Sequence, residues 1–114
     1  MTRIAHFEIT AKDVERTADF YHQVFGWKTS PSQFIPGYVL LDLVDTDAGA
    51  VMDRSYQSQP TIIWFEVASI DETVQTIVAA GGRTINEKQS LPGVGELIYV
   101  ADPEGTVFGL KQPA

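Results

Sequence analysis

No cysteine occurs in this 114-residue chain. Disulfides and thiolate metal sites are thereby excluded, and a reducing compartment is permitted. Positive charge is scarce, with 8 Lys and Arg against 15 Asp and Glu and a formal net charge of −7. Such a surplus repels phosphate backbones and anionic lipid surfaces, so neither nucleic acid nor a membrane is expected as a partner. Long apolar runs are missing too. No stretch approaches the roughly 18 to 20 residues of a membrane span, and the opening Met1-Thr2-Arg3-Ile4-Ala5-His6-Phe7 lacks the apolar segment of a secretory signal. A soluble cytoplasmic protein is the expectation. What is present is an ordinary 44% of hydrophobic residues, enough for one domain that buries roughly two-thirds of its unfolded surface.

The chain repeats itself. Laid against itself at an offset of 56 residues, it aligns without a gap, and 9 of 58 positions are identical. Punctuation repeats with the apolar spacing: Gly26 falls on Gly82, Pro36-Gly37 on Pro92-Gly93, and Gly49 on Gly105. Leu41/Leu97, Val44/Val100 and Val51/Val107 match within apolar runs.

Each half reads as a strand, a helix and three further strands. Opening strands are expected near Ile4 to Thr10 and Ile62 to Ala68, followed by helices capped by Asp13 and Ser69. Ser69-Ile70-Asp71-Glu72 fits a capping box. Val14, Ala18, Tyr21 and Phe25 share one helix face, as do Ile70, Val74 and Ile77, and Gly26 and Gly81-Gly82 end the helices. Strands near Trp27 and Arg83, Pro-Gly turns and longer strands at Tyr38 to Val44 and Glu96 to Ala101 follow. Asp102-Pro103-Glu104-Gly105 suits a type I turn, with Thr46-Asp47-Ala48-Gly49 as its weaker copy. One helix covers only one face of a four-stranded sheet, so each unit needs a second to cover the other face.

His6-Phe7-Glu8-Ile9, Asp13-Val14-Glu15-Arg16, the helix end from Phe20-Tyr21 to Gly26-Trp27, and the closing hairpin Leu97 to Leu110 together resemble the vicinal oxygen chelate superfamily. That superfamily groups glyoxalase I, bleomycin-resistance proteins, fosfomycin-resistance enzymes and extradiol dioxygenases. The resemblance implies an α+β fold of two tandem βαβββ modules, residues 1–54 and 61–114 joined by a linker at 55–60, with sheets curled around a cleft and helices outside. It also implies a homodimer, because relatives commonly complete the cleft by pairing modules across chains.

Metal-using relatives take ligands from the first and last strands of each module. The opening histidine of that pattern falls on His6, and the 56-residue offset extends it to Ile62, Asp53 and Gly109. Two of these carry no ligand, so His6 and Asp53 remain as weak metal candidates, a half-site where a divalent ion needs three or more protein ligands. A tightly held metal or other cofactor is therefore not expected. Strand alternation places Glu8 and Thr10 on the side of His6, and Trp64 and Glu66 on the side of Ile62. The resemblance places Leu41, Leu97 and Tyr99 inward.

These residues read in two ways. His6 is either a hydrogen-bonded structural histidine or a ligand contact, Glu66 and Glu8 either face a covered groove or solvent, and Asp53 beside Arg54 reads first as a surface ion pair. His22 reads as exposed. In the catalytic reading, Glu66 or Glu8 moves a proton while His6 and Tyr99 polarise a carbonyl or hydroxyl, and Glu8, Leu41, Asp53, Trp64 and Leu97 hold the substrate. The resemblance then points to a lyase-, isomerase- or dioxygenase-type enzyme acting on a small polar or partly aromatic metabolite. Ordinary glyoxalase I activity is not expected. The alternative is a non-catalytic protein that sequesters a small molecule, as bleomycin-resistance members do.

Overall fold

The computed structural model describes residues 2–43 and 49–114. Among them the order is β1 (Arg3–Ala11), α1 (Val14–Phe25), β2 (Lys28–Pro31), β3 (Tyr38–Asp42), β4 (Gly49–Asp53), β5 (Thr61–Glu66), α2 (Ile70–Ala79), β6 (Arg83–Thr84), β7 (Gln89–Leu91), β8 (Gly95–Ala101) and β9 (Val107–Pro113). This is an α+β fold in which strand–helix–strand units follow one another along the chain. Two compact units emerge, one of residues 6–62 and the other of residues 1–5 with 63–114.

In the 6–62 unit the strands are ordered β2-β3-β4-β1. β1 and β4 run parallel, and β4 is antiparallel to β3. α1 starts where Asp13 accepts the Arg16 amide, and it ends at Gly26, whose φ of 73° only glycine adopts without strain. Val14 and Ala18 bury the helix against Ala11, Leu41 and Val51, with Phe7, Tyr21 and Trp27 around them. Phe25, expected on the same face, is exposed and leans on the Trp27 ring instead. The segment after β4 is tied down at Thr10, whose amide and hydroxyl donate to the carbonyls of Pro60 and Gln59.

The other unit orders its strands β5-β9-β8-β6, with β7 also on β8. α2 is capped by Ser69, which accepts the Glu72 amide, and it covers Val67, Ile98, Val100 and Leu110. The Asp102–Gly105 turn forms as its sequence predicts. Gly105 N–H donates to the Asp102 carbonyl, while the Asp102 carboxylate gathers the amides of Glu104 and Thr106. Its expected copy at 46–48 lies outside the described residues.

The registers correct the repeat. Ile9 pairs with Val51, whereas its counterpart Phe65 pairs with Leu110. Opening strands and helices therefore correspond at 56 residues, but the later strands correspond at 59. The extra three residues fall between α2 and β8, where the second unit carries β7 and the first has no such strand among its described residues. The Leu41/Leu97 identity is accordingly not an equivalence: Leu41 answers to Val100, each buried beneath its own helix.

Replacing Ser69 by alanine is expected to lower stability by about 1 kcal/mol, and by glycine only a few tenths, because glycine is itself a tolerated cap. Urea denaturation of the two variants checks this.

Candidate functional site

Because side chains alternate along a strand, cross-strand partners share a face. On the face of β1 away from α1 stand His6, Glu8 and Thr10. Glu8 and Thr10 are 2% and 3% exposed and are the buried polar residues of the described chain. Their register partners are Ala50 and Met52, and beyond these on β3 come Leu40 and Tyr38. Glu8 thus sits in an otherwise apolar row. A buried carboxylate must be hydrogen-bonded to be tolerated there.

Tyr38 does this. Its hydroxyl donates to Glu8 Oε2 at 2.6 Å and lies 2.9 Å from His6 Nε2, with the phenol and imidazole rings nearly parallel. The phenol has one proton, and it goes to the carboxylate. Towards His6 the oxygen can then only accept, so Nε2 is the protonated ring nitrogen. Methyl-sized Ala50 opposite Glu8 leaves room for a ring to cross the sheet diagonally. Sequence reasoning missed Tyr38. Strand alternation could have flagged it, but only with the register between β3 and β4 in hand.

Asp53 is elsewhere. It pairs with Ala11, a member of the helix-side core, and so occupies the face opposite His6, five register steps along the strand. At about 3.3 Å per residue that is on the order of 16 Å. Its carboxylate accepts the Ser55 amide, which holds its pKa below the ordinary value. The expected ion pair with Arg54 is not made, because the guanidinium donates to the Thr10 carbonyl and hydroxyl instead. Asp53 instead lines an open groove of about 440 Å³ with Lys12, Asp13, Glu15 and Ile35. Leu41, expected inward, likewise lies on the helix side.

In the other unit, Trp64, Gly109 and Tyr99 form one row, and Glu66, Lys111 and Leu97 the next. Four residues singled out from sequence thus share a face here. The Trp64 and Tyr99 rings meet at 4.8 Å between centroids. A methyl group on Gly109 would lie 2.1 Å from the Trp64 ring, so the indole fills the space over that glycine. Glu66 is bound through both carboxylate oxygens, at 3.2 Å each, to the guanidinium of Arg3. His22 is exposed, and its Nδ1 lies 2.7 Å from the Trp27 carbonyl.

An opening-strand histidine, two βαβββ-type units and an Asp-Pro-x-Gly closing hairpin define a class of small α+β protein with known relatives. The model of the Glyoxalase/Bleomycin resistance protein/Dioxygenase superfamily matches residues 3–110, and the chain belongs to that superfamily. CFP32 of Mycobacterium tuberculosis is 31% identical over 99 residues, which cover 83% of this chain and 38% of that protein. The chain thus spans under two-fifths of that relative's length. A glyoxylase-like domain-containing protein of Didymella fabae is 26% identical over 117 residues, covering 95% of this chain and 91% of that one. Among solved structures, methylmalonyl-CoA epimerase from Mycobacterium tuberculosis superposes with a TM-score of 0.74 at 16% identity, over 97% of this chain and 87% of that chain, a likeness of fold.

The residues present do not fit the divalent ion of metal-using relatives. His6 is engaged by Tyr38, Asp53 faces the other way, and the registers make Ala50 the counterpart of Gly109, so neither closing position carries a donor. Among the described residues no group of three or more His, Cys, Asp or Glu could hold a metal.

Gly109→Ala is expected to cost about 1–3 kcal/mol through overpacking against the indole. In a double-mutant cycle with Trp64→Leu the two changes should couple by more than about 0.5 kcal/mol. Denaturation midpoints of the four proteins measure it, and additivity would refute the steric account.

Proposed function

We propose that this chain binds a small polar or partly aromatic metabolite and acts on it by metal-independent proton transfer, with His6 as the catalytic residue that meets the ligand. The observation that carries this reading is the line from half-buried His6 through Tyr38 to buried Glu8. In it a proton taken up by the imidazole can be matched by release of the Nε2 proton to Tyr38 as the phenol proton passes to Glu8. Glu8 Oε2, which already accepts the phenol hydrogen bond, is placed to receive it. Tyr38 and Glu8 are positioning residues, since neither needs to touch the ligand.

Among the carboxylates singled out from sequence, this reading prefers Glu8 to Glu66, whose oxygens are already held by Arg3. Tyr99 and Leu97 are assigned apolar ligand contact on their own face, backed by the buried Trp64 indole against which the Tyr99 ring packs, and a phenol there favours a flat or partly aromatic group. The superfamily includes enzymes and binding proteins on one scaffold, so fold alone does not choose between them. Sequestration without turnover is the second reading, favoured by the near-complete burial of the carboxylate. Cytoplasmic location and homodimerisation belong to the same proposal.

A thermal-shift screen of metabolites with and without EDTA tests it. The expected ligand raises the melting temperature equally in both conditions and loses its effect on His6→Ala. Product in the mass spectrum of the incubated ligand marks catalysis, and a saturable shift without product marks sequestration. A shift abolished by EDTA would sink the metal-independent reading.

A further inference from the structure

His6 and Glu8 are two residues apart on one face of β1, a spacing that lets an imidazole and a carboxylate converge on one point. A zinc ion shared by them would lie about 2.0–2.2 Å from each ligand atom. The point between Nε2 and Oε2 is already taken, because the Tyr38 hydroxyl oxygen stands there at 2.9 Å and 2.6 Å. These are hydrogen-bond rather than coordination lengths. Tyr38 is only 8% exposed, so its hydroxyl is built into the sheet face and does not swing in from solvent. The register partner of Glu8, Ala50, has no donor for such an ion, and Met52 opposite Thr10 has only a thioether.

We infer that Tyr38 takes the place of a divalent ion on this face. Its hydroxyl joins imidazole to carboxylate as a shared cation would, donating to Glu8 and accepting from His6 Nε2–H. His6 is thereby withdrawn from coordination through Nε2, and the face holds no zinc-class metal while the phenol is present. The inference deepens the proposed function by naming the residue that makes it metal-independent, and its tests need no organic ligand.

The geometry can be inverted. A histidine at position 38 reaches roughly 2 Å less far than tyrosine, and a metal–nitrogen bond of about 2.0–2.1 Å makes up that difference. Tyr38→His should therefore place a zinc ion near where the phenol oxygen was, held by two imidazoles and a carboxylate. Zinc is the probe, with bound metal counted after gel filtration and folding followed by circular dichroism. Wild type is expected to retain none, Tyr38→His about one equivalent, and Tyr38→His with Glu8→Gln to bind at least about tenfold more weakly. A folded Tyr38→His protein that binds no zinc overturns the inference, as does a wild-type equivalent of zinc that disappears in His6→Ala.

If Tyr38→His fails to fold, the wild-type protein still decides. In a His22→Gln background, so that His6 is the single histidine, the ¹⁵N spectrum of the neutral ring is expected to show the proton on Nε2. A proton on Nδ1, leaving Nε2 as the bare nitrogen, overturns the inference. Loss of ligand binding in the metabolite screen, by contrast, touches the proposed function and leaves the zinc result standing.

Discussion

A carboxylate with 2% of its surface exposed is the most demanding residue in this structure, and much of the 6–62 unit is arranged around it. Leaving a buried charged group without donors costs several kcal/mol. Tyr38 can supply one only if β3 lies two strands from β1 with its register shifted so that the hydroxyl comes level with Glu8. Ala50 must be small for the ring to cross between them. The Glu8–Tyr38 bond therefore helps fix the register of three strands, since a slip of one residue would turn either partner to the other face. His6 at the end of this line inherits its orientation from it.

The second unit meets the corresponding positions with opposite chemistry. Trp64 stands where Glu8 stands, and Gly109 where Ala50 stands, as the pairings of β1 with β4 and of β5 with β9 show. The first unit has a buried acid facing a small residue, and the second has an indole pressed onto a glycine. In both, the closing-strand residue is reduced until the opening-strand side chain fits. That complementarity leaves no donor at the two closing positions: the space a closing carboxylate would need is filled by tryptophan in one unit and crossed by tyrosine in the other.

What could be read from sequence was whatever is encoded locally. Asp13 and Ser69 cap their helices through amides three residues away, and Asp102 to Gly105 carries its turn in four consecutive residues. Alternation along β1 placed His6, Glu8 and Thr10 together because it needs no partner strand. Errors began where register mattered. The offset of 56 holds through the opening strands and helices and becomes 59 afterwards, so Asp53 was matched to Gly109 and Leu41 to Leu97. Asp53 landed on the wrong face for that reason, whereas Leu41, which the resemblance placed inward, lies on the helix side. Tyr38 was out of reach altogether, since its partners are 30 and 32 residues away on a strand it does not directly pair with.

The superfamily assignment and the site chemistry therefore carry different weight. The family match spans residues 3–110, whereas metal binding in metal-using relatives depends on a few side chains in register. A fold survives loss of those few, and function is fixed by what replaces them. Here the opening histidine remains, which by itself would suggest that the ion remains too. Its Nε2 proton is given to a phenol whose own proton is committed to a buried carboxylate, so that nitrogen offers no lone pair to a cation. The place of His6 is thus better explained by the hydrogen-bonded line it heads than by a metal whose other three positions hold isoleucine, alanine and glycine.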